Sequence, residues 1–286
     1  MNRFVFRSLR ASSPEVEKRD LLASRIWEID LLRGAALFLM LLQHFAFDLS
    51  LIWGWPFLDF IQKTWFLDAL RPCVLVWFLL ASGLSCRFSR SHLRHGTRVA
   101  LAALLMSAAT ILFEAYFHLG FPIYFNVLHV LALAILMRGS LIVLLNKWLS
   151  SFLSRLHARF SLPWSHILAD LLSLLGLLLL YAIVLALFSK DTSPILALLF
   201  FLPGVPLPEM GDHLAFLPWA LFFYLGALMG DLFYIEKKSV FGGEDSRLWR
   251  APLSCLTWLG RYPLWVYLLH QPIFFALLTL IHWLVA

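Results

Sequence analysis

The feature that most constrains this chain is a series of apolar runs, each long enough to cross a lipid bilayer. A hydrocarbon core about 30 Å thick takes roughly 20 residues of α-helix. Seven runs of about this length occur, at Ile29–Phe47, Phe66–Ser85, Val99–Tyr116, Ile123–Leu145, Ile167–Phe188, Leu214–Phe233 and Leu264–Val285. Of the 286 residues, 61% are hydrophobic and 14% charged, against about 45–50% apolar and 25% charged in soluble domains. The sequence therefore predicts an all-α, polytopic transmembrane helix bundle.

One apolar piece is too short to cross. Pro194–Leu202 is followed by three prolines in "PGVPLP", which predicts a re-entrant or interfacial segment rather than a span. If this piece pairs with neighbouring residues to cross, the number of spans becomes eight.

Lysine and arginine are concentrated in every second loop. The rich segments are the N-terminal tail, Arg87–Arg98, Arg138–Arg159 and Lys237–Arg261. The positive-inside rule places these segments in the cytoplasm, and seven spans then put the C-terminus outside. The net charge of +6 is thereby explained by topology, with no nucleic-acid partner. We expect a cytoplasmic tail (residues 1–25), one transmembrane domain (residues 26–286), and a basic interfacial helix in "SFLSRLHARFSLPW" from Ser151.

The first span carries ionisable residues near both ends. Arg33 and His44 are eleven residues apart, which is roughly 16 Å along a helix. Asp48 follows His44 by four residues and shares its helix face, so its carboxylate can orient the imidazole. Such a pair predicts His44 as a general base and Asp48 as its orienting acid. The alternative is that both residues only hold neighbouring helices together.

Other polar residues are expected at the same outer level. Asp68 and Arg71 begin the second span, and Asn126 and His129 lie near the start of the fourth. His270 lies in the last span two residues before Pro272, which breaks the helical hydrogen bonding. Together these residues predict an outward-facing polar cavity for a substrate, although each taken alone is typical of an interfacial cap or a packing kink.

At the cytoplasmic end the arginines predict a site for an anion. Arg33 lies inside the helix beside Gly34, where a backbone or a ligand can approach closely, and guanidinium groups suit phosphate. Arg25 and Arg87 are the further candidates on this side. No metal is expected, because the histidines lack HxxxH or HExxH spacing and the three cysteines lack CxxC spacing.

Four stretches of the sequence resemble a known family. They are "RIWEIDLLRGAALFLMLLQHFAFDLS", "NVLHVLAL" from Asn126, "FLPWALFFYLGALMGD" from Phe216 and "LGRYPLWVYLLHQP" from Leu259. In this order they resemble bacterial proteins related to the catalytic domain of heparan-α-glucosaminide N-acetyltransferase, within the transmembrane acyltransferase superfamily. The resemblance covers most of the chain.

The resemblance implies an enzyme of a bacterial inner membrane. It would move an acetyl group from cytoplasmic acetyl-CoA to a sugar or glycan amine or hydroxyl on the opposite side. The chain departs from the lysosomal enzyme, which is expected to have Asn in place of His44 and which has a long luminal domain. A proton-coupled transporter and a non-catalytic assembly protein are the alternatives, and the sequence leaves homo-oligomerisation open.

Overall fold

The computed structural model describes residues 26–51, 54, 60–117, 122–160, 162–188, 194–202, 212–236, 238–239 and 253–285. Over these residues the structure is helical, and its only extended pairing is one bridge between Phe200 and Leu217. The helices are α1 (Trp27–Leu51), α2 (Arg71–Ser85), α3 (His92–Phe117), α4 (Val127–Phe160), α5 (Trp164–Phe188), α6 (Pro194–Leu199), α7 (Trp219–Phe233), α8 (Ser254–Arg261) and α9 (Pro263–Val285). A π-helical turn precedes α2 and a 3₁₀ turn follows it.

The predicted fold class is confirmed. Within the described part of the chain, six helical segments are long and apolar enough to cross a membrane. They contain α1, α2 with its flanking turns, α3, α4, α5 and α9, and they correspond to six of the seven predicted spans. The protein is therefore a multi-pass helical membrane protein.

The remaining predicted span, Leu214–Phe233, is only partly helical. Its helix, α7, begins at Trp219 after Pro218, since proline supplies no backbone N–H to continue a helix toward the N-terminus. The described residues just before Pro218 are not helical, and the N–H of Leu217 donates to the carbonyl of Leu199 at 2.9 Å. Asp212 pairs with Arg71 at the N-terminal end of α2, and Asp231 pairs with Arg87 beyond its C-terminal end. The segment 212–233 therefore runs beside the whole of α2.

The short apolar piece does not cross by itself. Its helix, α6, has six residues, which is about 9 Å of helix. The N–H of Phe201 donates to the carbonyl of Leu217 at 2.9 Å, so extended backbone at this depth is hydrogen-bonded, as a membrane requires.

The basic helix expected from Ser151 is not a separate element. It forms the second half of α4, which continues without a break from Val127 to Phe160. Leu153 packs in a small apolar cluster with Ala169 and Trp164 of α5. Contacts with the next helix therefore hold this segment in place beyond the span.

Glycines set the closest helix contacts. A Cβ added to Gly83 of α2 would overlap the backbone of Phe223, and one added to Gly226 would overlap that of Leu80. Such contacts let the backbones of α2 and α7 touch, as small residues do where helices pack in membranes. Tyr224, which is buried, donates a hydrogen bond to the carbonyl of Ala134 and ties α7 to α4.

Candidate active site

One connected set of polar side chains lies at the end of the bundle that the sequence analysis expects to face outward, and it is called the outer network for that reason. Its members come from α1, the outer end of α2, the start of α4, the extended segment before α7, and α9. The predicted site residues His44, Asp48, Arg71, Asn126, His129 and His270 all lie in this outer network. Residues distant in the sequence are thus brought to one level of the bundle.

His44 and Asp48 are connected through a residue of another helix. Gln271 of α9 donates from Nε2 to His44 Nδ1 at 3.3 Å, and its side chain also interacts with Asp48. Asp48 is buried, so its carboxylate lies among protein groups. The two residues expected to interact along α1 are therefore bridged by an amide that sequence reasoning did not select.

His270 lies beside His44 with their ring centroids 5.0 Å apart. Its Nδ1 is 2.6 Å from the carbonyl oxygen of Tyr267, and its buried Nε2 has no hydrogen-bond partner in the part of the chain that the structure describes. Because a carbonyl only accepts, Nδ1 carries the proton and Nε2 has the free lone pair. The bond goes to Tyr267 rather than to the carbonyl of Leu268, which Pro272 leaves without its usual donor.

Asp212 and Tyr267 form a second centre in the outer network. The Tyr267 hydroxyl donates to Asp212 Oδ2 at 3.3 Å and accepts from Asn126 Nδ2 at 3.1 Å. Arg71 Nη2 donates to Asp212 Oδ1, also at 3.3 Å. Asp212 and Arg71 are also charged groups that act electrostatically on His44. A carboxylate from a loop thus lies among groups from α1, α2, α4 and α9.

His129 joins the network at its edge, whereas Asp68 does not join it. His129 Nδ1 lies 3.0 Å from Asn126 Oδ1, and its Nε2 lies 3.3 Å from Ser107 Oγ on α3. Asp68 lines a separate groove with Cys73 and Trp77. Of the predicted cavity residues, Asp68 is the one that the structure places away from His44.

His44, Arg71, Asp212 and Tyr267 share the wall of a cavity of about 30 Å³. The rest of the lining is Met40, Gln43, Val74, Leu75, Phe78, Val127 and Leu214. A volume of this kind holds about two water molecules, which is less than a sugar ring needs. The polar groups therefore meet in a narrow, mainly apolar space, where charges and hydrogen bonds are weakly screened.

Sequence reasoning missed Asp212, Tyr267 and Gln271. Tyr267 lies three residues before His270 and four before Gln271, so the helical spacing could have placed Tyr267 beside either of them. Gln271 directly follows His270, and this spacing does not put the two on one helix face. Asp212 follows a proline-rich stretch and has no periodic pattern around it. Only tertiary contacts bring it to His44.

Arg33 lies near the N-terminal end of α1, the end that the sequence analysis expects in the cytoplasm. Arg33 Nη2 pairs with Asp30 at 2.6 Å, while its buried Nε has no hydrogen-bond partner among the described residues. Gly34 serves a backbone contact: a Cβ there would overlap the carbonyl of Leu256 in α8. The glycine thus brings α8 against α1, and Arg33 keeps one N–H available for an anion.

Arg87 and Arg25 are the other two arginines predicted to bind the donor. Arg87 donates to the carbonyls of Tyr234 and Ile235 at 3.4 and 2.9 Å, just beyond α7, and its Nε lies 3.5 Å from Asp231. These contacts use part of its hydrogen-bonding capacity at the end of a helix. Arg25 lies outside the described residues.

Arg138 is a buried member of a charge network. The sequence analysis counted it in the basic segment Arg138–Arg159, although the predicted span Ile123–Leu145 also contains it. It lies within α4 and is 0% exposed. Arg138 binds Asp170 of α5 through Nε and Nη2 at 2.6 and 3.0 Å, and it also binds Asp231 of α7. Its Nη1 lies 3.3 Å from His92 of α3. This inner network joins four helices, so that part of the loop prediction was wrong.

Comparison with known proteins agrees with the sequence motifs. A family model described as "Heparan-alpha-glucosaminide N-acetyltransferase, catalytic" matches residues 25–272 of the 286. The comparisons with curated proteins and with solved structures gave no match. The matched region runs from Arg25, two residues before α1, to Pro272 and contains both the outer and the inner network.

Proposed function

Because the chain belongs to the family of the heparan-alpha-glucosaminide N-acetyltransferase catalytic domain, we propose that it is an acetyl-CoA-dependent membrane enzyme. It takes the donor from the cytoplasm and acetylates a sugar amine or hydroxyl on the opposite side. The observation that carries the proposal is the placement of an arginine and a histidine on α1, eleven residues apart. This separation of roughly 16 Å lets one helix contact both ends of an extended donor.

The donor's phosphates would lie at the cytoplasmic end of α1. Arg33 supports this position with an unpartnered N–H, and guanidinium groups form strong charge-assisted hydrogen bonds with phosphate. Arg25 and Arg87 complete the proposed donor site. The flexible arm of the donor would then extend through the bundle and present its thioester to His44.

The acyl group and the acceptor would meet at His44. Asp48 belongs to the same centre because Gln271 connects it to the imidazole. Arg71, Asn126, His129 and His270 would shape the acceptor side, with Asp68 further out. In this arrangement the Arg33 end of α1, and with it the N-terminus, faces the cytoplasm of a bacterial cell, because acetyl-CoA is made there.

A proton-coupled transporter is the second candidate. Buried histidines, arginines and aspartates at two levels of a bundle with a proline-kinked last helix also suit coupled transport. The two functions differ in their products, because only the enzyme breaks the thioester bond of acetyl-CoA.

Reconstituted vesicles test the proposal directly. Protein is inserted in proteoliposomes with [¹⁴C]acetyl-CoA on the cytoplasmic face and glucosamine-terminated glycans on the other, and labelled product is measured. We expect transfer by the native chain and a loss of at least about 100-fold in His44→Ala, as for a positioned catalytic group. His157→Ala, on the exposed end of α4, is the matched control and should remain active. Uptake of a solute without any labelled glycan would instead support the transporter.

Asp48→Asn measures the supporting role of the acid. Asparagine keeps the size and one acceptor oxygen but removes the charge, so turnover should fall less than in His44→Ala. The double variant should resemble His44→Ala alone, since residues acting as one unit are not additive. Independent, additive losses would separate Asp48 from the catalytic centre.

A further inference from the structure

We propose that Asp212 accepts the proton of the acceptor and that His44 donates a hydrogen bond to the reacting carbonyl. The assignment rests on the proposed function and deepens it. It differs from the role as a base that the sequence predicts for His44. It also gives a catalytic role to a residue that the sequence analysis did not select.

The contact with Gln271 fixes which ring nitrogen of His44 carries the proton. Gln271 Nε2 lies 3.3 Å from His44 Nδ1. An amide nitrogen can donate a hydrogen bond and cannot accept one. Nδ1 therefore accepts, and the proton of the neutral ring is on Nε2. His44 thus has no free lone pair for a substrate, and Nε2–H is the group left for the cavity.

A carboxylate faces the same cavity. Of the described residues that line it, Asp212 is the one with a carboxylate. Single hydrogen bonds from Arg71 and Tyr267 hold its two oxygens, each at 3.3 Å. Each carboxylate oxygen accepts about two hydrogen bonds, so both oxygens retain capacity. Asp212 is held in place and remains able to take a proton.

These two groups suffice for acyl transfer. The lone pair of the acceptor nitrogen or oxygen attacks the thioester carbon, and the new bond forms while the carbonyl oxygen becomes an oxyanion held by His44 Nε2–H. The proton of the acceptor passes to Asp212. When the C–S bond breaks, the coenzyme A thiolate takes that proton, and free coenzyme A and the acetylated acceptor leave. A neutral imidazole donor beside a carboxylate base is an established division of work between these side chains.

The environment favours such a donor. A fixed N–H aimed at a developing oxyanion is most effective where little water competes for it. The cavity is about 30 Å³ and is mostly apolar in its lining. Gln271 fixes the ring, so the donor needs no reorientation during the reaction.

Two substitutions of His44 separate a donor from a base. Glutamine retains an N–H donor but cannot act as a base at neutral pH, whereas alanine can do neither. We expect kcat of His44→Gln to exceed that of His44→Ala by about 10-fold or more, within the 10²–10³-fold that one oxyanion donor contributes. Equal loss in the two variants would overturn the donor role. Thermal unfolding in detergent checks that both variants are folded.

Chemical rescue tests the base. Asp212→Ala should reduce kcat on the order of 10²–10⁴-fold, with acetyl-CoA binding by equilibrium dialysis unchanged. Added formate or acetate should restore part of the turnover, with the more basic acetate giving the larger rate at saturation. Lys147→Ala, exposed on α4, should neither lose turnover nor respond to these anions. Wild-type kcat in both Asp212→Ala and Asp212→Asn would overturn the assignment.

The outcomes also distinguish this inference from the proposed function. If the native chain transfers no acetyl group, the proposed function fails. If it transfers the group and Asp212 variants keep full turnover, only the assignment of the base fails.

Discussion

Replacing Arg138 by methionine should destabilise the protein more than any substitution of an exposed basic residue. Methionine has a similar length and no charge, so the change removes the guanidinium without opening a large cavity. It leaves Asp170 and Asp231, each 0% exposed, without the cation that binds them both. Arg87 still lies 3.5 Å from Asp231, whereas Asp170 loses its bidentate partner.

The magnitude follows from these contacts. Breaking a buried ion pair by removing one partner costs about 3–5 kcal/mol, and the upper part of this range applies because two carboxylates are affected. For chains of roughly this size, Tm changes by about 2–4 °C per kcal/mol. With about 4–5 kcal/mol, we therefore expect Arg138→Met to lower Tm by roughly 8–20 °C.

The assay is thermal unfolding of purified protein in detergent, followed by size-exclusion chromatography. Lys147→Met is the matched control, because it makes the same replacement on the exposed side of the same helix, and it should shift Tm very little. Adding Asp170→Asn to Arg138→Met should recover part of the loss, since one uncompensated charge is then removed. If Arg138→Met and Lys147→Met shift Tm equally, the inner network contributes no net stability and the reasoning is refuted.

Three further predictions concern the ends of the chain and of α1. A reporter fused after Ala286 should be active only on the outer side, because seven crossings follow a cytoplasmic tail; cytoplasmic activity would mean an even number of crossings. Arg33→Ala should raise the KM for acetyl-CoA while the folded protein stays abundant, whereas lost expression with unchanged donor affinity would make Arg33 structural. Gly34→Ala should lower the yield of folded protein, because its Cβ would overlap the carbonyl of Leu256, whereas Gly176→Ala, with nothing within 4 Å, should not.

The sequence was sufficient for the membrane class and for most of the spans. The thickness of the bilayer sets the length of a spanning apolar helix, so the length of an apolar run predicts a span without any periodic pattern. Six of the predicted spans coincide with helices. The predicted start of the remaining span, Leu214, was wrong, because the helix begins only at Trp219, after Pro218. Leu214–Leu217 are apolar enough to be counted in a span, but their backbone pairs with a neighbouring segment instead of forming a helix.

The type of a polar residue and its position in the sequence did not determine which polar groups contact each other in the fold. Arg138 has the same composition signal as a cytoplasmic loop arginine, and only the packing of α4, α5 and α7 shows that it is buried between two aspartates. Asp48 follows His44 at helical spacing, yet the two side chains are connected through the side-chain amide of Gln271 in α9. Asp212 comes from a segment without periodicity.

Hydrophobic length is a local property, because each residue adds its own transfer free energy to a span. The sequence by itself therefore determined that the chain crosses a membrane and that Arg33 and His44 lie eleven residues apart on one apolar helix. Hydrogen bonds and ion pairs are properties of pairs, and their partners here are separated by tens to hundreds of residues. Only the tertiary structure decided those partners, because helix packing sets which side chains come within about 3 Å of each other.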